Sequence, residues 1–105
     1  MEFIDTSQFL KRAGQYLNED ELSRIQALLT LYPDKGSVIP GSGGLRKLRW
    51  LSSGKGKRGG LRLIYYWVTQ NHLIYLLTLY KKTMKEDMSF EEIKYFKQLI
   101  EREGP

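Results

Sequence analysis

Apolar positions recur at helical spacing toward both ends of the chain and alternate as in strands through its middle. Residues 2–4 predict a short opening strand. Phe9, Leu10, Ala13, Tyr16 and Leu17 then share one side of a helix, which Asp5, Thr6 or Ser7 can cap and which Gly14 weakens. Asn18 with Glu21 behind it is a capping-box signature. It opens a second helix whose stripe is Leu22, Ile25, Leu28 and Leu29, ending near Tyr32 and Pro33. The two helices form a hairpin with one apolar face, and that face needs a partner to bury it.

Residues 33–44, rich in proline and glycine, predict a connector without regular structure. Residues 45–51 alternate, with Leu45, Lys47, Arg49 and Leu51 on one face and Arg46, Leu48 and Trp50 on the other. A glycine-rich loop over 52–60 leads to a strand at 61–68 with apolar bulk on both faces, the mark of a central strand. A turn at 69–71 and a strand at 72–80 complete an antiparallel meander. Ser89 with Glu92 caps a last helix carrying Phe90, Ile93, Phe96 and Ile100. The order predicts an α+β domain: an antiparallel sheet with the N-terminal helices packed on one face, and a short C-terminal helix.

Length and composition narrow the class. The 105 residues fit one domain, residues 1–105. With no cysteine and one histidine, neither a disulfide framework nor a thiolate or histidine-rich metal site is expected, and no cofactor is called for. The opening MEFIDTSQF lacks the profile of a secretion signal, and the most apolar run, 73–79, is too short to cross a membrane. A soluble cytoplasmic protein is expected.

Charge changes the picture more. The net charge of +5 hides a strong segregation: between Asp34 and Glu86 stand eleven basic residues and no acidic one, while the flanks carry six basic and twelve acidic. Seven of the seventeen cations lie in 45–62, LRKLRWLSSGKGKRGGLR. Such a field concentrates a polyanion, and nucleic acid is the expected one. Lys47 and Arg49 project from one face of a strand, an antiparallel neighbour brings Arg62 beside them, and Lys82 lies just past the third strand. Like charges so placed repel, and a bound phosphate would offset the repulsion. Arginine suits that task by donating two parallel hydrogen bonds to phosphate oxygens.

Other candidates carry less. GKGKRGG lacks the spacing of a nucleotide-binding P-loop, so Lys55, Lys57 and Arg58 suit a sugar-phosphate backbone better than ATP. Among the aromatics, Trp67 and Tyr75 are assigned to packing, while Tyr66 and Tyr80 stay open as stacking positions. His72 falls at the far end of its strand from the cations, and a structural role is expected for it. Metal-assisted hydrolysis is disfavoured because the central window holds no carboxylate.

The run GGLRKLRW, then GKGKRGGLRLIYYW, then YLLTLYKK before a short polar helix, resembles the RelE/HigB family of toxin mRNA interferases, especially its HigB-type branch, over about residues 20–100. The resemblance implies a toxin that enters the ribosomal A site and cuts mRNA there, by attack of a ribose 2′-hydroxyl on the adjacent phosphate, without metal. It implies Lys47, Arg49, Arg62 and Lys82 as the catalytic cations, Arg62 and Lys82 stabilising transition-state charge and Lys47 or Arg49 orienting the phosphate. Arg46, Lys55, Lys57, Arg58, Tyr80 and Lys81 become contacts to RNA or the ribosome. The implied partners are the ribosome with its mRNA and a neutralising antitoxin of helix-turn-helix, HigA-like type. Where some relatives carry a tyrosine or histidine near the C-terminal end of the site, this chain reads KTMKEDMS, so no general base is assigned. Two other functions stay open: a ParE-like toxin acting on DNA gyrase, and a non-catalytic RNA-binding module.

Overall fold

The strand at 61–68 is interrupted by a single charged residue, Arg62, so a sheet built around it needs an apolar cover on each face. The structure, a computed structural model, describes residues 1–51 and 60–103 and supplies both covers. Among the described residues the elements run β1 (Glu2–Asp5), α1 (Ser7–Tyr16), α2 (Glu19–Leu31), β2 (Ser37–Val38), β3 (Leu45–Trp50), β4 (Leu61–Val68), β5 (Leu73–Lys81) and α3 (Phe90–Glu103). The strands form one sheet in the order β1-β5-β4-β3-β2.

The antiparallel meander is the β3–β4–β5 unit, with Arg49 directly opposite Arg62 and Arg62 opposite Tyr80. Two edges extend it. β1 runs parallel to β5, with Phe3 opposite Ile74, so the sheet is antiparallel apart from this edge. β2 pairs with β3 in the stretch expected to be irregular, with Ser37 opposite Lys47. Gly36 allows that approach: a Cβ there would stand 2.8 Å from the Tyr65 ring. The Tyr65 hydroxyl fixes the same turn, accepting from the Gly36 N–H at 2.8 Å and donating to the Pro33 carbonyl at 2.7 Å.

Helix starts follow the local chemistry. Of the three cap candidates Thr6 is the N-cap of α1; its hydroxyl accepts the Phe9 N–H at 3.0 Å and donates to the Leu77 carbonyl at 2.7 Å, tying α1 to β5. Asn18 and Glu21 form the full capping box of α2, and Ser89 and Glu92 cap α3 reciprocally. Phe9, Ile25 and Leu29 meet Leu48, Leu63, Tyr65 and Leu76 on one face of the sheet. Each fully buried side chain of this size contributes about 1.5–3 kcal/mol. On the opposite face Ile93, Phe96, Leu99 and Ile100 of α3 cover Leu45, Ile64, Tyr75 and Leu77. At 14 residues α3 is not short. Two positions expected in apolar stripes lie outside the packing: Leu10 is 53% exposed and Phe90, at the first turn of α3, 80%.

A β-bulge decides which face the end of β5 presents. Tyr65 is opposite Leu76 and Ile64 opposite Thr78, which leaves Leu77 unmatched. Ile74 and Leu76 belong to the α1/α2 side, but beyond the bulge Leu79 takes that side and Tyr80 turns to the α3 side. The extra residue therefore shifts alternation by one and puts Tyr80 on the face of Arg62.

Gly60 holds the other end of the meander. Its φ is 80°, a Cβ would stand 2.8 Å from the Trp50 carbonyl oxygen, and its own carbonyl accepts the Lys82 N–H at 3.3 Å. Gly60→Ala is expected to cost about 1–3 kcal/mol through backbone strain. Urea unfolding of the two proteins measures it, and equal stability would show that the β3–β4 connection does not need this conformation.

Candidate functional site

β3 alternates, so Lys47 and Arg49 emerge on the α3 side of the sheet together with Leu45, while Arg46, Leu48 and Trp50 emerge on the α1/α2 side. β4 sets Arg62 directly across from Arg49. β5 ends at Lys81, and the chain then carries Lys82 to the rim. Lys47, Arg49, Arg62 and Lys82 line one cleft of about 530 Å³. Lys35 joins them from the turn before β2, and Glu86 and Asp87 from the segment before α3.

The four cations differ in setting. Arg62 is 5% exposed, and its Nη1 donates to the Leu61 carbonyl at 3.3 Å. Arg49 and Lys82 are exposed. Lys47 is half-buried, and its Nζ meets the Asp87 carboxylate at 2.7 Å. The hydrogen bond and charge of Lys47 hold the Asp87 carboxyl below its ordinary range, with Arg62 adding to the effect. No local pattern marks Asp87 as a partner: it stands forty residues from Lys47 and reads as part of an acidic flank.

Tyr80 is 2% exposed and faces the same side as Arg62. Burial, then the charge of Asp87, push its hydroxyl up to about 12; Arg62 opposes the shift and Glu92 adds to it. It is therefore a phenol at neutral pH, able to donate a hydrogen bond and unsuited to act as a base. Its Oη is buried with no hydrogen-bond partner among the described residues. The Lys85 ammonium lies 4.8 Å from the centre of its ring and forms an ion pair with Glu92. Burial alone would raise the Glu92 carboxyl, but its hydrogen bonds with Lys85 and with Ser89 outweigh that and bring it below its usual value.

The remaining sequence candidates do not gather here. Arg46 emerges on the opposite face, its Nη1 donating to the Gly36 carbonyl at 2.8 Å and the Asp34 carbonyl at 3.3 Å, 5.8 Å from the Trp67 ring centre. Lys81 lies over the Tyr16 ring of α1 at 5.4 Å. Tyr66 lines a separate recess beside Arg46 and Trp67. His72 is exposed, with φ 51° in the β4–β5 turn, at the other end of the strands from the Arg49–Arg62 pair. Tyr75 is packed as expected, its hydroxyl donating to the Glu103 carbonyl at 3.2 Å, and Trp67 is partly buried against the α1/α2 core. Lys55, Lys57 and Arg58 lie outside the described residues. Among the described residues no group of three or more His, Asp or Glu is placed to hold a metal ion.

No family model matches the sequence. Solved structures do. The isolated E. coli RelE toxin aligns over 93% of this chain and 97% of its own, with a TM-score of 0.56 at 16% identity. A double arginine-to-alanine mutant of E. coli RelE in the free state gives a TM-score of 0.59 at 17% identity, over 81% and 86%. A chain of the intact E. coli RelBE toxin–antitoxin complex gives 0.56 at 16%, over 76% and 94%. The chain has the RelE toxin fold.

The Lys47–Asp87 pair makes a prediction with a definite sign. A depressed carboxyl pKa means the pair adds stability above the ordinary carboxylate value of about 3.9, and the contribution is lost as pH falls through the depressed value. Lys47→Ala is expected to move the Asp87 midpoint upward, followed by carboxyl NMR through an acid titration. An unmoved midpoint would show that the pair is not formed in solution.

Proposed function

We propose that this protein is the toxin of a type II toxin–antitoxin pair and acts as a ribosome-dependent endoribonuclease on mRNA in the A site. The supporting observation is that Lys47, Arg49, Arg62 and Lys82 line one cleft. Fold stability alone disfavours such an arrangement, since Arg49 and Arg62 stand directly opposite each other. A phosphodiester offsets it.

In the proposed reaction the ribose 2′-hydroxyl attacks the adjacent phosphorus, the P–O bond to the next nucleotide breaks, and a cyclic phosphate and a free hydroxyl end result. Negative charge grows on the non-bridging oxygens as the fifth bond forms. Arg62, held by burial between β3 and β5, is suited to meet that charge without reorganising. Lys82 adds charge from the rim, and Lys47 or Arg49 orients the phosphate. The phosphate takes over Lys47 from Asp87, an exchange made easy by the exposure of that carboxylate. Tyr80 enters as a neutral donor. Lys55, Lys57 and Arg58 are proposed to grip ribosomal RNA.

The partner proposed is a cognate antitoxin of helix-turn-helix, HigA-like type. One of the similar structures is a RelBE toxin–antitoxin complex, which supports a protein partner of this kind. A cytoplasmic location follows from the proposed target.

Mapping mRNA 5′ ends after induction tests the reading. Wild type is expected to arrest translation and produce cuts within codons, and Arg62→Ala to lose about 10²- to 10³-fold of the cleavage rate while remaining folded by circular dichroism. Arrest with intact mRNA would contradict it. DNA damage without mRNA cleavage would favour a gyrase-directed toxin instead.

A further inference from the structure

Among the described residues the cleft has a fifth cation, Lys35, which lines it from the turn before β2 beside Ser37. That turn is held from three directions. The Lys35 N–H donates to the Tyr32 carbonyl at 3.0 Å. The Gly36 N–H donates to the Tyr65 hydroxyl at 2.8 Å, which donates in turn to the Pro33 carbonyl at 2.7 Å. Arg46, emerging on the opposite face of the sheet, donates from Nη1 to the Asp34 and Gly36 carbonyls at 3.3 and 2.8 Å. The peptide groups on both sides of Lys35 are therefore tied to the sheet, although the lysine side chain is exposed. Its backbone is held like that of a strand residue, which is what placing a charge requires. Among the described residues no carboxylate pairs with Lys35, whereas Asp87 pairs with Lys47.

We propose that Lys35 takes a second phosphate of the same RNA strand, the neighbour of the one on Arg49, Arg62 and Lys82, so that the strand crosses the sheet from β5 toward β2. The inference rests on the phosphate-site reading above and deepens it: the ligand carries two consecutive phosphates. Register sets the line. β2 and β3 are antiparallel with Ser37 opposite Lys47, so carrying that register two residues back brings Lys35 level with Arg49, itself opposite Arg62. Lys82 follows the end of β5, the strand beside Arg62. Adjacent strands lie about 4.8 Å apart, so the row from β2 to β5 spans roughly 14 Å. At that width Lys35 and Lys82 meet on one phosphate only by leaning inward over Arg49 and Arg62, which like-charge repulsion disfavours. Standing apart, they fit two phosphates of one backbone. The compact charge of a lysine suits a phosphate that is held in place and not transformed.

The test is binding of two ligands that differ by one phosphate, the deoxydinucleotide TpT and its 5′-phosphorylated form pTpT, titrated into the isotope-labelled protein at several low salt concentrations and followed by NMR. Neither has a 2′-hydroxyl, so neither is cut. Wild type is expected to bind pTpT about 10-fold or more tighter than TpT, with an affinity that falls more steeply with salt. Lys35→Ala is expected to bring that ratio down toward one and remove the extra salt dependence, while TpT binding stays within about 2-fold of wild type. Lys35→Arg is expected to restore the ratio, and Arg62→Ala to weaken both ligands. If Lys35→Ala keeps the wild-type ratio, or wild type binds both ligands equally, the second phosphate contact is overturned while the phosphate site stands. If neither ligand binds wild type, the phosphate-site reading fails and the Lys35 contact falls with it.

Discussion

Two arginines face each other across β3 and β4, one of them almost fully buried, with a lysine on each side of the same cleft. Like charges directly opposite on a sheet raise the free energy of the folded state, and burial weakens the screening that water and salt would provide. The rest of the structure can be understood as what holds this arrangement together. Asp87 relieves part of it by pairing with Lys47. It does so from an exposed position, so the relief is small.

What keeps the cations in place is the double cover of the sheet. β3, β4 and β5 cannot splay to separate the charges, because Leu48, Leu63 and Leu79 are locked under α1 and α2 while Leu45, Ile64 and Leu77 are locked under α3. Moving any strand would open a cavity in both layers, at a cost that rises with its volume. Side chains on such strands are held more rigidly than those on loops, as charge stabilisation requires. The Gly60 carbonyl extends the same control to Lys82, the one member that lies beyond the sheet.

Much of this was legible in the sequence, because it depends on local spacing. Period-two alternation put Lys47 and Arg49 on one face and Arg46 on the other, and the capping boxes marked the starts of α2 and α3. The features that escaped are non-local. β2 forms despite its prolines and glycines because Gly36 fits against Tyr65 and β3 supplies hydrogen-bonding partners. The parallel β1–β5 pair joins strands about seventy residues apart. The bulge at Leu77 has no residue signature in LIYLLTLYK, yet it decides where Tyr80 points. Asp87 returns to Lys47 only once β5 and α3 are both in place. The carbonyls of the turn before β2 that take up the Arg46 guanidinium are equally non-local, ten and twelve residues away.

On the proposed reading the cation cluster burdens the free protein and an anion relieves it. Thermal unfolding of wild type and Arg49→Gln, with and without phosphate at matched ionic strength, tests it most directly. Arg49 is exposed, so its replacement leaves both cores intact. Arg49→Gln is expected to melt higher than wild type without phosphate and to gain less from its addition. A variant that melts lower than wild type, and gains as much from phosphate, would contradict it.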